Sequence, residues 1–117
     1  MVYIQLATNI WEGPRTSVPN KVEARKEAMK LILNSPHPIT YKANFYETEK
    51  SKNPISFMSL AYDRQADGKL IYVNFNEFTK HPKYGWWGKS VGRNGKLKTS
   101  GEPTDYLSQD RNGNWHF

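Results

Sequence analysis

Apolar and polar positions alternate at the start of the chain, where Val2-Tyr3-Ile4-Gln5-Leu6 has the period of a half-buried strand. Trp11-Glu12-Gly13-Pro14 then predicts a turn. From Asn20 the period changes. Asn20 and Glu23 stand at the spacing of a capping box, and Pro36 and Pro38 cannot continue a helix, so one helix is predicted between Asn20 and about Asn34. At about 100° per residue, Val22, Met29, Ile32 and Leu33 share one side, with Arg25 and Lys26 at its edge. That stripe is expected to pack on a sheet.

Three strand-like runs follow, over residues 39–48, 55–64 and 70–78. The first puts Ile39, Tyr41, Ala43 and Phe45 on one face, and Lys-Ser-Lys-Asn-Pro separates it from the second. Asp67-Gly68 predicts a two-residue type I′ hairpin between the second and third. If Ala66 then opposes Lys69, Leu60 opposes Phe75, Tyr62 opposes Val73 and Arg64 opposes Ile71, which makes one face mostly apolar. The other face pairs Ser59 with Asn76, Ala61 with Asn74 and Asp63 with Tyr72, as solvent exposure requires.

Gly85, Gly88, Gly92, Gly95, Gly101 and Gly113 punctuate the remainder and predict short hairpins or irregular loops. Asn94-Gly95 and Asn112-Gly113 are hairpin candidates, with Trp115 and Phe117 as a last short strand covering an open edge. The expected fold is α+β: one N-terminal helix on an antiparallel sheet of four to five strands, extended by glycine-rich C-terminal hairpins. The alternative is an SH3-like small barrel in the C-terminal half.

Size and composition narrow the class. A chain of 117 residues is expected to form a single domain over residues 1–117. No apolar run approaches the ~20 residues of a membrane span, and the N-terminus lacks the series of a signal peptide, so a cytoplasmic protein without membrane contact is expected. Cysteine is absent, which excludes disulfides and thiolate metal sites.

Charge changes the picture most. Between Phe78 and Gly101 there is no Asp or Glu, while Lys80, Lys83, Lys89, Arg93, Lys96 and Lys98 all lie there. The other eleven of the seventeen Lys and Arg balance the eleven Asp and Glu, so the whole formal charge of +6 falls in this segment. Phe78, Tyr84, Trp86 and Trp87 interleave with the cations. Clustered cations release counterions from a polyanion, and rings stack on unpaired bases. The segment therefore predicts a nucleic-acid partner, single-stranded DNA or RNA, read with low sequence specificity; the residues carrying it are Lys80, Lys83, Tyr84, Trp86, Trp87, Lys89, Arg93, Lys96 and Lys98. Double-stranded DNA is the further option, through a hairpin that enters a groove, although no helix-turn-helix or zinc-finger spacing supports it.

Other readings use the same residues. Adjacent Trp86 and Trp87 face opposite sides of an extended strand, which predicts that one belongs to the core and that the cations solubilise a loop. Exposed Trp, Tyr and Arg also anchor protein interfaces, so a small interaction or inhibitor protein, of phage or mobile-element type, docking on a host protein or protein–nucleic-acid complex is the alternative. A glycan-binding module is the third.

Two stretches resemble known families in part. Leu60-Ala61-Tyr62-Asp63, Trp86-Trp87-Gly88, Gly92, Gly95, Pro103 and Tyr106 follow an order similar to the landmarks of an SH3 domain. That resemblance implies a groove for proline-rich peptides at Tyr62, Trp86, Pro103 and Tyr106. The tight Asp67-Gly68 hairpin and the basic segment depart from that family's long acidic loop and acidic rim. Residues 94–101 with Asn112-Gly113-Asn114-Trp115 look like one degenerate choline- or glucan-binding repeat. Neither resemblance assigns a family.

No catalytic pattern stands out, and the protein is expected not to be an enzyme. Glu77, Lys80 and His81 are close in sequence, and His37 and His116 are the other imidazoles, so an acid–base pair of Glu and His can be drawn. Its spacing is unspecific, and His37-Pro38 and His81-Pro82 read as turns. Neither a cofactor nor a metal is expected, because three scattered His provide no ligand spacing.

Overall fold

The computed structural model describes residues 1–83, 85–98, 108–109 and 115–116. Six strands form one antiparallel sheet: β1 (Val2–Ala7), β2 (Glu12–Val18), β3 (Lys42–Tyr46), β4 (Ser56–Arg64), β5 (Leu70–His81) and β6 (Gly85–Val91). Their order is β2-β1-β3-β4-β5-β6. Helix α1 (Lys21–Leu33) lies between β2 and β3 in the chain and packs mainly on β1, β3 and β4. The α+β prediction holds in outline, with six strands in the main sheet rather than four to five. Among the described residues, β4 to β6 continue this sheet through β3 instead of closing into an SH3-like barrel.

The helix begins where its cap dictates. The Asn20 side chain accepts from the Glu23 N–H at 3.0 Å, and Asn34 closes the other end. Glu23 turns to Lys26, at 3.3 Å, instead of completing the capping box. The buried stripe is Ala24, Ala28, Met29 and Ile32, while Val22 and Leu33 sit at its margins. Two alanines one turn apart let the helix approach closely. They meet Val2, Ile4, Ala43, Phe45, Met58, Leu60, Phe75 and Val91 in one core.

Two departures at the N-terminal end and in the β4–β5 hairpin have local causes. The first turn falls at Thr8–Trp11, closed by Thr8 N–H to Trp11 C=O at 2.8 Å, and the expected turn residues Glu12-Gly13-Pro14 begin β2 instead. Proline is tolerated there because β2 is an edge strand. The β4–β5 loop has three residues, not two. Gly68 N–H donates to Gln65 C=O, Gln65 N–H donates to Lys69 C=O, and only Gly68 has positive φ (+88°), which makes a type I turn with a glycine bulge.

That extra loop residue shifts the pairing to Tyr62 with Tyr72, Asp63 with Ile71 and Arg64 with Leu70, overturning the predicted partners beyond Ala61. A bulge after Ala61 restores the predicted register, so Leu60 does oppose Phe75, Ser59 Asn76 and Ala61 Asn74. Register is enforced where one face is buried and slips where the hairpin is exposed.

The C-terminal third is more regular than its glycines suggest. β6 runs through Gly85 and Gly88 without a break, and a turn over Gly92–Lys96 follows it. In that turn Gly95 (φ +80°) donates to Gly92 C=O, Gly92 donates to Lys96 C=O, and Asn94 Oδ1 accepts from Lys96 N–H at 3.0 Å. The Asp67 turn uses the same three bonds, with Asp67 Oδ1 accepting from Lys69 N–H. The expected final strand exists as Trp115–His116 (β8), but it pairs with Ser108–Gln109 (β7) in a separate two-stranded sheet and not on the main edge. Phe117, the Asn112-Gly113 turn, and Pro103 and Tyr106 of the SH3-like order lie outside the described residues.

Candidate nucleic-acid interface

The alternation of β5 and β6 splits the basic aromatic segment between the two faces of the sheet. Phe78, Lys80 and Trp86 point away from the helix, with Lys80 opposite Trp86 and Phe78 opposite Gly88. Trp87 and Lys89 point to the helix side, opposite Thr79 and Glu77. Both tryptophans are about half exposed, Trp86 at 47% and Trp87 at 53%, so neither joins the core as expected. The reasons differ by face: Trp86 points to the side that carries no helix, and α1, which packs mainly on β1, β3 and β4, does not extend over Trp87.

On the face opposite the helix, cross-strand pairing builds one row from Arg15 through Gln5, Asn44, Phe57 and Phe78 to Gly88, across all six strands. Phe57 stacks on Phe78 with centroids 5.1 Å apart, and Trp86 meets Phe57 edge-on at 5.0 Å. Gly88 is required by this cluster, because a Cβ there would come within 2.7 Å of the Phe78 ring. Lys42 Nζ lies 5.5 Å from the centre of the Phe57 ring, and the Arg15 guanidinium lies 3.6 Å over Tyr46. Arg15 is also held by the Glu49 carbonyl at 2.7 Å. Along β3 to β6, the described strand residues on this face include one carboxylate, Asp63. It lies six residues along β4 from Phe57, about 20 Å at ~3.3 Å per residue.

The helix side is organised around Glu77, which is 3% exposed. Its carboxylate accepts from Arg25 Nε at 2.6 Å, from Ser56 Oγ at 2.6 Å and from Lys21 Nζ. Burial opposes its ionisation, but hydrogen bonds from Lys21, Ser56 and Arg25 outweigh that and hold the carboxyl below the ordinary range. Burial lowers the pKa of Lys21, an effect that its bond and attraction to Glu77 only partly offset. Glu77 is thus the clasp between α1 and the sheet, in contrast to the acid–base role drawn from its sequence neighbours. Arg25 extends the clasp by donating to Gly95 C=O at 3.1 Å, which docks the Gly92–Lys96 turn on the helix.

The remaining predicted residues are spread out. Lys83 is exposed in the β5–β6 turn, Tyr84 lies outside the described residues, and Arg93 and Lys96 are exposed on the docked turn. Lys98 follows Leu97, where Lys98 N–H donates to Ser90 C=O at 2.8 Å. Glu77, Thr79, Lys80, Trp87, Lys89 and Leu97 line a cleft of about 230 Å³ on the helix side. Phe57, Lys42 and Arg15 were missed from sequence because they lie outside the basic segment. The pairing rule applied to Leu60 and Phe75 also places Phe57 opposite Phe78, and was the available signal.

No protein-family model, curated protein or solved structure matches this chain. Among the described residues, no helix is long and apolar enough to cross a membrane.

Proposed function

We propose that this is a small, non-enzymatic nucleic-acid-binding protein that takes single-stranded DNA or RNA, with low sequence specificity, on the sheet face opposite the helix. The observation carrying this reading is the Trp86–Phe57–Phe78 ring cluster, flanked by Lys42 and Lys80 and distant from Asp63, the one carboxylate among the described β3 to β6 residues on that side. Stacking on rings is sequence-tolerant, because every base has a π-face, and lysines beside the rings supply phosphate contacts. A cytoplasmic location goes with this proposal.

Fluorescence anisotropy with a labelled single-stranded oligonucleotide tests it. Two phosphate contacts, from Lys42 and Lys80, give a slope of log K against log salt of about −1.4, at ~0.7 per contact. Engagement of all six segment cations would give about −4. Absence of binding at low salt contradicts the proposal.

A second reading rests on the exposure of both Trp86 and Trp87: a small interaction or inhibitor protein anchored by these rings on a host protein. Co-purification with and without nuclease separates the two. A partner lost on digestion supports nucleic acid, and one retained supports protein docking.

A further inference from the structure

Resting on the nucleic-acid reading, we infer that the helix-side cleft is a separate pocket for one unpaired nucleotide, with its base against Trp87 and Leu97 and its phosphate on Lys89. Size limits the ligand. At about 230 Å³ the cleft falls below the ~300–1,000 Å³ of pockets that enclose drug-sized molecules, and it suits one flat ring and its substituent.

Its lining has the chemistry a nucleotide needs. Trp87 and Leu97 keep 53% and 37% of their surface accessible and provide the apolar walls. Thr79 adds a hydroxyl and Lys89 an ammonium group, while Lys80 borders the cleft from a strand position that faces the other side. Glu77 is the one carboxylate among the described lining residues and the register neighbour of Lys89, yet its oxygens are already engaged by Lys21, Arg25 and Ser56. Lys89 enters no ion pair among the described residues, so its charge is available to an anion from outside.

The cleft also has a defined wall. Leu97 bridges to Val91, and the preceding turn is held on α1 by Arg25. A base paired in a duplex cannot enter such a cleft, whereas an unpaired one can.

The test titrates the full chain with AMP, with inorganic phosphate and, separately, with a single-stranded oligonucleotide, following the indole N–H resonances. AMP is expected to move the Trp87 signal and leave that of Trp86 in place. Trp87→Ala should weaken AMP about tenfold, the loss of one stacking contact, and Trp87→Phe should restore most of it. Lys89→Ala should weaken AMP several-fold and adenosine little. If Trp87→Ala does not fold, Trp87→Phe and Lys89→Ala carry the comparison.

If AMP at millimolar concentration leaves Trp87 unmoved while the oligonucleotide binds, the pocket is refuted and the sheet-face reading stands. If AMP binds and the oligonucleotide does not, the pocket stands and that reading falls. Reproduction of the Trp87 shift by phosphate alone overturns the nucleotide assignment.

Discussion

The indole of Trp86 stands edge-on to the ring of Phe57, with centroids 5.0 Å apart, although the two residues lie on strands separated by β5. Phe78 of β5 stacks beneath that contact and leans over Gly88, so the ring cluster depends on a glycine as much as on its rings. Trp86→Ala is expected to weaken single-strand binding by about 1–3 kcal/mol, the range for one stacked base. Its effect on thermal stability should be small, because the ring is half exposed. Anisotropy and a melting curve on the same variant check both statements.

Gly88→Ala probes the cluster without removing a ring. The new methyl group would displace the Phe78 ring, and binding should weaken several-fold although every ring and cation is retained. Unchanged affinity in this variant would mean that the stacked geometry does not matter.

Glu77 should dominate the acid limb of the stability curve. Its folded-state pKa is depressed below 4.5, so the unfolded chain binds the proton more readily. The stabilisation is fully present above about pH 4.5 and is lost as pH falls through the lower folded value. Glu77→Gln should flatten the fall in melting temperature between neutral pH and the acid limb. Lys21 works in the opposite range: its pKa is lowered from 10.5, so its contribution rises as alkaline pH removes its proton.

Removing the clasp altogether is more costly. Glu77→Ala leaves Lys21 and Arg25 without their shared partner, and the expected loss is about 3 kcal/mol, the low end for a broken buried pair because Lys21 still reaches solvent. Urea denaturation measures it.

Gly68 and Gly95 form an internal control, with φ of +88° and +80° in turns of the same hydrogen-bond pattern. At Gly68 an added Cβ meets open space, so Gly68→Ala should lose about 1–2 kcal/mol, the left-handed backbone cost alone. At Gly95 the same atom would run into the Val22 carbonyl oxygen of α1. Gly95→Ala should therefore lose clearly more and undock the turn. Paired denaturation curves compare them directly.

These contrasts show what was legible in the sequence. The Asn20 cap, the proline stop and the pairing of Leu60 with Phe75 are short-range or periodic signals, and each appears in the structure. The three-residue turn and its compensating bulge were not readable, since Asp67-Gly68 suits both turn types. β2 was hidden because Pro14 argues against a strand unless the strand is known to lie at an edge. For the candidate site, the opposite facing of Trp86 and Trp87 followed from alternation. Their shared exposure depended on the bare face beneath Trp86 and on where α1 stops short of Trp87, which no local pattern records.

The most direct test of the central claim is a map of amide and indole shifts on adding a short single-stranded oligonucleotide. The sheet-face account predicts the largest changes at the Trp86 indole and at Lys42, Phe57, Phe78 and Lys80, with Ala24, Ala28 and Ile32 of the helix unmoved. A map centred on α1, or no shifts at low salt, would contradict it.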